Sequence, residues 1–441
     1  MKYFTSRVAS DAAKTAGITL VLALTFTRGI ATSADHWPQW RGAAQNGVAE
    51  GVEFPSKWTT EKGVLWKSSV PGTGGSTPVV SEETAYITAG NEGKNLLVAY
   101  DLSNGSTRWS VSIGNDKGGK HKKGSGSNPS AVIDGQHIFA YYRSGDLACI
   151  SKTGEIVWHI NLQDKFGEDT LWWDLGSSPT ITNDSVVVAV MQTGPSYLIA
   201  FDKKTGDQKW KTDRMVGAPQ EAAQSYSTPV VVEQNGEEWI AVMGADHLTL
   251  NRASDGKEIG RLGGFNPEQN AYFRSISSPV ASGEIIICPY ARGATITAVN
   301  MQQLAAGKGE EAIAWVRDDL GSDVPTPASL EGRAYVVGDG RTSRGLITCI
   351  EAKTGKTIWE VQLPKSRISY SSSPLIAADH LYVTNEKGTT YVIGPLSSES
   401  PELISENPID DDADFTVASP VPVAESLLLR SKRNLYRIAG E

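Results

Sequence analysis

Eight polar or aromatic side chains interrupt a pattern of small residues, each a few positions ahead of a regularly spaced proline. They are Trp173, Asp174, Gln224, Tyr226, Arg274, Asp323, Tyr370 and Asp414. Carboxylates, a guanidinium and an amide over aromatic walls suit the binding of a sugar, a peptide or a small polar ligand. We take these eight residues as candidates for a ligand or partner site. A polar surface that holds only water is the alternative.

Other kinds of chemistry have little support in the sequence. The six His residues are scattered without zinc-ligand spacing, and no GxSxG nucleophile turn is present. The three candidate Asp residues lack the tight spacing of a calcium loop, so we predict no metal site. Asp174 and Asp323 are the one carboxylate pair that a polysaccharide-cleaving enzyme would use, and this is a third functional alternative.

The prolines that follow the candidates belong to a repeat. Each proline ends a run of small polar residues and begins an apolar strand: Pro78, Pro129, Pro179, Pro229, Pro279, Pro327, Pro374 and Pro420. Their spacings fall between 46 and 51 residues, and a fixed period of this length indicates a repeat architecture. The residues ahead of the prolines would then converge at one mouth of a central channel.

Every copy has the same order of strands. Two apolar strands are followed by a third that ends in an Asp-x-x-Thr-Gly turn, where Gly supplies the positive φ. A fourth strand carries a Trp in five copies: Trp109, Trp158, Trp210, Trp315 and Trp359. An aromatic at this fixed place predicts a wedge between neighbouring sheets. Four short strands cannot bury both faces of a sheet alone, but radial stacking of eight such sheets can.

The last copy ends after its third strand. The missing Trp strand is matched by Val64-Leu65-Trp66-Lys67, which precedes the first proline strand. We therefore predict an all-β protein, an eight-bladed β-propeller of four-stranded antiparallel blades whose ring is closed by an N-terminal strand. Residues 35–441 would form this single domain.

The N-terminal 34 residues are typical of an export signal peptide. Lys2 and Arg7 precede the apolar stretch Ile18–Phe26, and small residues follow at 31–34. The stretch is too short for the roughly 20 residues of a spanning helix. We predict an exported protein, periplasmic or extracellular, without a lipid anchor because no Cys lies near the cut. An uncleaved anchor is the alternative.

Composition excludes several classes of partner. Apolar residues make up 39% and charged residues 21%, which is typical of a soluble globular protein. The formal charge of −9 argues against nucleic acid and anionic membranes, which favour basic surfaces. We expect no nucleic-acid partner, no membrane insertion and a monomer.

The repeat resembles a known family. Leu97–Trp109, Leu198–Trp210 and Ile347–Trp359 look like the pyrroloquinoline-quinone (PQQ) repeat, and His36–Gly42 with Asn46-Gly47-Val48 looks like the WPxWRG start of exported PQQ-like propellers. The resemblance implies an eight-bladed propeller. It covers non-enzymatic binding subunits, such as the propeller lipoprotein of the outer-membrane barrel-assembly machinery, as well as quinoprotein dehydrogenases.

The cysteines bear on the choice between these roles. The resemblance implies that a dehydrogenase would stack PQQ between a Trp and a disulfide of adjacent Cys residues, on Ca²⁺ held by Glu, Asn and Asp. Here Cys149, Cys288 and Cys349 are far apart, and we interpret them as free buried thiols. We predict an exported, non-enzymatic binding or scaffold module without a cofactor, with a protein or glycan partner at the channel mouth. A PQQ-dependent oxidoreductase with calcium, acting on alcohols or sugars, is the alternative.

Two charged loops also precede proline strands. Lys117–Lys123 is basic and Asp410–Asp414 is acidic. They predict either an electrostatically patterned docking surface or two solvated, mobile loops, and we favour the second interpretation.

Overall fold

The computed structural model describes residues 36–49, 51, 53–410 and 414–440, so the predicted signal peptide lies outside the described residues. The described chain forms an eight-bladed β-propeller, as predicted. Each blade is an antiparallel sheet of four strands, and two blades gain a further short strand from the N-terminal segment.

The first four blades follow the chain order without crossovers. Their strands, from the innermost to the outermost, are Val79–Ser81, Thr84–Asn91, Lys94–Asp101 and Thr107–Asn115 in blade one; Val132–Ile133, His137–Tyr141, Asp146–Ser151 and Ile156–Asn161 in blade two; Thr180–Ile181, Ser185–Val190, Tyr197–Asp202 and Gln208–Asp213 in blade three; and Val230–Gln234, Glu237–Gly244, His247–Arg252 and Glu258–Leu262 in blade four.

Blades five to seven repeat this order, and blade eight takes its outermost strand from the N-terminal side. The strands are Val280–Ser282, Ile285–Tyr290, Thr295–Asn300 and Ile313–Arg317 in blade five; Ala328–Leu330, Arg333–Val337, Leu346–Glu351 and Thr357–Gln362 in blade six; Leu375–Ala377, His380–Thr384, Thr390–Gly394 and Glu402–Asn407 in blade seven; and Val421–Val423, Ser426–Arg430, Asn434–Ile438 and Val64–Ser69 in blade eight.

Helical pieces are short and lie between strands. Among the described residues, the α-helices are Leu162–Phe166 and Met301–Ala305, and the 3₁₀ turns are Gln220–Ala223, Ala291–Gly293 and Gly309–Ala312. Within the described ranges, no helix has the length and apolar character needed to span a membrane.

The hydrophobic cores lie between neighbouring blades. Successive side chains of a strand point to opposite faces of its sheet. Val79 therefore packs in the core with Ile138 of blade two, whereas Val80 packs with Leu428 of blade eight. This alternation makes each apolar strand contribute to two cores, which is why the strands read as nearly continuous apolar runs.

The tryptophans of the outermost strands are wedges between blades, as predicted. The indole N–H of Trp158 donates to the Lys203 carbonyl oxygen of the next blade at 3.0 Å, and its ring covers Gly206 of the Asp-x-x-Thr-Gly turn. A Cβ on Gly206 would lie 2.8 Å from that ring, and its φ of +74° already requires glycine. Equivalent indole-to-carbonyl bonds are made by Trp66, Trp109, Trp210 and Trp315.

Ring closure also follows the prediction. Val64–Ser69 pairs antiparallel with Asn434–Ile438, so the N-terminal strand completes blade eight. Three junctions depart from the wedge pattern. Blades four and seven have no Trp in their outermost strands, and blade four packs there against the helix Met301–Ala305. In blade six, the buried indole N–H of Trp359 has no hydrogen-bond partner among the described residues.

Candidate functional site

A cavity of about 540 Å³ lies on the channel at the end where the inner strands begin. Five of the eight sequence candidates line it: Trp173, Asp174, Tyr226, Arg274 and Asp323. They reach it because the loops ahead of the inner strands of different blades converge there. We call this space the mouth cavity.

Eight hydroxyl residues, one from each blade, line the same cavity. They are Thr77, Ser130, Ser178, Thr228, Ser278, Thr326, Ser373 and Ser419, which we call the hydroxyl ring. The backbone N–H of each residue donates to the hydroxyl oxygen of the next blade at 2.8–3.1 Å, and the last of these bonds returns from Ser419 to Thr77. The eight bonds form one closed circle around the channel, and all eight residues are buried.

The hydroxyl ring corrects one detail of the repeat alignment. In seven blades the ring residue directly precedes the repeat proline, as Ser178 precedes Pro179. In blade two the ring residue is Ser130, which follows Pro129. Pro129 is therefore two positions out of register with the other seven prolines.

The N-terminal residues His36–Ala49 close the opposite end of the channel, and we call them the plug segment. The Pro38 carbonyl oxygen accepts from Ile133 N–H of blade two, and the Asn46 and Gly47 carbonyl oxygens accept from blades six and seven. His36–Trp37 pairs with blade one, and Val48–Ala49 runs parallel to Ile376–Ala377. Trp40, in the middle of the segment, lines the mouth cavity from this side.

Arg41 anchors the plug segment. Its guanidinium is 2% exposed and donates to the carbonyl oxygens of Gln45, at 3.2 Å, and of Thr326, at 2.9 Å, and also to that of Pro327. Burial lowers the pKa of Arg41 to about 9. The bonds to Thr326 and Pro327 fasten the plug segment to blade six just ahead of its inner strand, and the bond to Gln45 lies within the segment.

Glu221 connects the charged residues on one side of the mouth. This carboxylate is 3% exposed and accepts from the Trp173 indole N–H at 2.9 Å. Its oxygens lie 3.7 Å from Arg274 and 3.8 Å from Arg292. Arg274 in turn forms a bidentate ion pair with Asp323, with N···O distances of 3.1 and 3.0 Å. The side chains are thus held in place by one another before any ligand arrives.

The basic loop Lys117–Lys123 is built into the mouth. Asp174 accepts the backbone N–H groups of Lys120 at 2.7 Å and His121 at 2.9 Å, and the His121 ring stands edge-on to Trp173 at 5.4 Å. Lys123 reaches Glu386 at 2.5 Å. These contacts tie the loop to the mouth, while most of its residues, including Lys117, Lys120 and Lys122, are exposed to solvent. In the acidic segment, residues 411–413 lie outside the described residues.

The other three candidates do not line the mouth cavity. Gln224 is fully buried and binds the Trp172 backbone N–H and the Tyr226 hydroxyl through its side-chain oxygen. Tyr370 is 2% exposed and packs against Tyr391 at 6.3 Å. Asp414 lies 3.5 Å from Arg433 on the surface. Gln224 supports the wall from behind, whereas Tyr370 belongs to the core.

A family model described as "Outer membrane protein assembly factor BamB" matches residues 93–321 and 291–397, which is more than half of the chain. The chain belongs to this PQQ-like propeller family. A search of curated proteins found no match.

Solved structures show the PQQ-like fold in proteins of different roles. BamB from Moraxella catarrhalis is 13% identical over 85% of this chain and 99% of its own, with a TM-score of 0.60. A europium-containing methanol dehydrogenase is 10% identical over 92% and 98%, with a TM-score of 0.66. The quinohemoprotein alcohol dehydrogenase from Comamonas testosteroni is 12% identical over 94% and 82%, with a TM-score of 0.67. At these identities the likeness shows the fold alone.

The residues of this PQQ-like propeller do not fit the quinone arrangement of the dehydrogenases. Cys149, Cys288 and Cys349 are buried free thiols, one in each of three blades, so no adjacent pair can form the stacking disulfide. Burial raises the pKa of Cys149 and of Cys349 to about 12. Among the described residues, no three His, Cys, Asp or Glu side chains come together as a metal site. These residues therefore lack the disulfide on which the resemblance would have the quinone stack.

Sequence reasoning missed three contributors to the site. Trp40 was visible only as part of a family motif, and Glu221 carries no spacing signal. Asp339 accepts the backbone N–H groups of Asp323 at 2.8 Å and Val324 at 2.9 Å; burial, the largest cause, raises its pKa to about 6. The hydroxyl ring had a signal, because Ser or Thr stands beside every repeat proline.

Proposed function

We propose that this PQQ-like propeller is an exported, non-enzymatic binding module that takes part of a protein or glycan partner into its mouth cavity. The observation that carries the proposal is the asymmetry of the channel. The plug segment closes one end, and aromatic and charged side chains from several blades converge on a cavity of about 540 Å³ at the other. Concave sites of this size with a few fixed polar groups are typical of ligand binding.

The carboxylates of Asp174 and Asp323 already hold hydrogen bonds within the protein, which favours a binding role over acid–base catalysis. A general acid or base must face the proton that it transfers. Asp174 instead accepts two backbone N–H groups of the basic loop, and Asp323 pairs with both terminal nitrogens of Arg274. Both carboxylates hold the wall of the cavity in shape, which disfavours the polysaccharide-cleaving alternative.

Exposed aromatic residues at the mouth support a macromolecular partner. Trp172 is 46% exposed and Trp173 is 42% exposed, side by side in the chain at the edge of the cavity. Aromatic side chains are enriched in the energetic centres of protein interfaces, and they also stack on sugar rings. The cavity has room for a chain terminus, a few side chains or a short glycan, while the rest of the partner would contact the surrounding loops.

Export is supported by the sequence of the first 34 residues, with basic side chains, an apolar stretch and small residues in the order of a signal peptide. N-terminal sequencing of the protein from the exported fraction tests this part of the proposal. A mature protein beginning near residue 35 is expected, and a full-length protein confined to the cytoplasm would contradict it.

Site-specific photo-crosslinking tests the binding role. A photoreactive amino acid replaces Trp173 in one variant and Ile358, on the outermost strand of blade six, in the control. The two positions are matched, because both side chains are 42% exposed. We expect discrete crosslinked products from position 173 alone, formed in the exported compartment. Equal products from both positions, or none from either, would overturn the proposal.

Titration of the purified protein with PQQ and Ca²⁺ tests the oxidoreductase alternative. We expect no saturable heat that depends on calcium. Calcium-dependent binding in the micromolar range or tighter would replace the binding role with the quinoprotein alternative.

A further inference from the structure

From the hydrogen-bonding groups of the mouth cavity, we infer that it receives an organic carboxylate end-on, with the carboxylate against the hydroxyl ring and the organic body between the aromatic walls. The inference deepens the proposed function and rests on it, since it concerns the same cavity. It names the chemical group that the partner presents.

The hydroxyl ring offers hydrogen-bond donors that have no acceptor among the described residues. Each ring oxygen already accepts a backbone N–H from the neighbouring blade. None of the eight hydroxyl groups donates its own hydrogen to a described residue, although all are at least nine-tenths buried. An O–H whose oxygen accepts a hydrogen bond is polarised and becomes a stronger donor. The ring thus presents activated O–H groups to the channel.

Other side chains that line the cavity add donors. The Nδ1 atom of His121 accepts from the Lys123 backbone N–H, so the hydrogen of the neutral ring sits on Nε2, which contacts no described acceptor. The Asn128 side-chain oxygen accepts from Ser125, which leaves the amide N–H₂ without a described acceptor. The indole N–H of Trp40 has none either.

The carboxylates at the cavity wall already accept hydrogen bonds. Asp174 binds the basic loop, Asp323 binds Arg274, and the Ser371 hydroxyl donates to Glu386. A ligand group that only accepts hydrogen bonds complements this inventory better than an amide or a hydroxyl, which must also find acceptors. Carboxylates accept through two oxygens and form the shorter, charge-assisted bonds.

Part of the cavity wall is apolar. Trp40, Ile276, Val324 and Val417 line it together with Trp173. Apolar surface favours a carboxylate attached to an organic body over a small inorganic oxyanion, which would leave these side chains in contact with water. Two sources have this chemistry: the C-terminus of a polypeptide and a free organic acid.

Paired ligands test the inference on the unaltered protein. The first pair is N-acetylphenylalanine and its primary amide, and the second is a decapeptide ending in phenylalanine, with a free or an amidated C-terminus. Calorimetric titration is expected to show binding of the acid that is about tenfold or more tighter than that of the matching amide. Preference for the acid in the peptide pair identifies a polypeptide terminus as an accepted ligand, and preference in the N-acetylphenylalanine pair alone identifies a free organic acid. Equal affinities within both pairs, or no binding, would overturn the inference.

Two double variants test whether the preference for the acid depends on the hydroxyl ring. Ser178→Ala with Ser278→Ala removes two ring hydroxyls. Ser177→Ala with Ser277→Ala removes the hydroxyls one position earlier, of which that of Ser277 donates to the Pro325 carbonyl oxygen. Acid preference should vanish in the first double variant and persist in the second. Unchanged preference in a ring variant with a native circular dichroism spectrum would contradict the inference.

The two proposals can fail separately. If position 173 yields no crosslinks while N-acetylphenylalanine shows ring-dependent acid preference, the macromolecular partner is wrong and the carboxylate site stands. If crosslinks form at position 173 but acids and amides bind alike, the binding role stands and the inference about its ligand is wrong.

Discussion

The two ends of the channel are made from the same eight inner strands, but they are finished in different ways. The plugged end is closed largely by main-chain contacts, in which carbonyl oxygens of the plug segment accept from the N–H groups of Ile133, Ser329 and Ile376. The open end is formed by side chains that differ from blade to blade, such as Trp173, Arg274 and Asp323. Sealing a channel needs regular backbone pairing with a few buried anchors, whereas a recognition surface needs variety, and the loops between blades supply it.

The largest loss of stability is expected when Arg41, the anchor of the plugged end, is removed. Arg41→Ala leaves three carbonyl oxygens without their donor in a buried place, and each such group costs about 1–3 kcal/mol. We expect the free energy of unfolding to fall by about 3–5 kcal/mol in urea titrations.

Arg433→Ala is the control for this variant, because the Arg433 side chain is 72% exposed and its ion pair with Asp414 is at the surface. Its effect should be below about 1 kcal/mol. Similar losses in the two Arg variants would show that the plug segment is not anchored as described.

A pH dependence is expected at the open end. The raised pKa of Asp339, about 6 in the folded protein, means that folding favours the protonated carboxyl. Asp339 therefore adds stability below the unfolded-state pKa near 4, and this contribution is lost as the pH rises through about 6. Asp339→Asn removes the titration, so stability relative to the variant should fall by on the order of 2 kcal/mol between pH 4 and pH 7. Parallel stability curves for the two proteins across this range would refute the assignment.

The smallest effect on stability is expected at the rim of the mouth. Trp173→Ala removes a side chain that is 42% exposed, so we expect the free energy of unfolding to change by no more than about 1 kcal/mol. We expect the same variant to lose binding of the partner. The buried wedge Trp210 provides the comparison, since Trp210→Ala should cost about 3–5 kcal/mol. If Trp173→Ala lowers the free energy of unfolding by more than about 2 kcal/mol, Trp173 contributes mainly to the stability of the fold and not to the binding site.

The sequence carried enough information for the fold because the repeat is periodic. Proline spacing, the Asp-x-x-Thr-Gly turn and the Trp strand each recur, and Val64–Lys67 could be matched to the incomplete eighth blade. The site was only partly accessible. Five residues that depart from the small-residue pattern of the repeat line the cavity: Trp173, Asp174, Tyr226, Arg274 and Asp323. The spacing of the repeat did not show in which direction each loop turns its side chains. Gln224 and Tyr370 break the repeat in the same manner and yet point into the protein.

The plug segment also has a mechanical consequence. The junction between blades six and seven has the Trp359 indole without its hydrogen bond. Two successive plug residues, Asn46 and Gly47, bind blade six and blade seven across this junction through their carbonyl oxygens. A force that opens the ring would have to detach the plug before it could part these two blades. The N-terminal segment thus reinforces the ring at the place where its own wedge is incomplete, and shortening the chain there should lower the force at which the circle breaks.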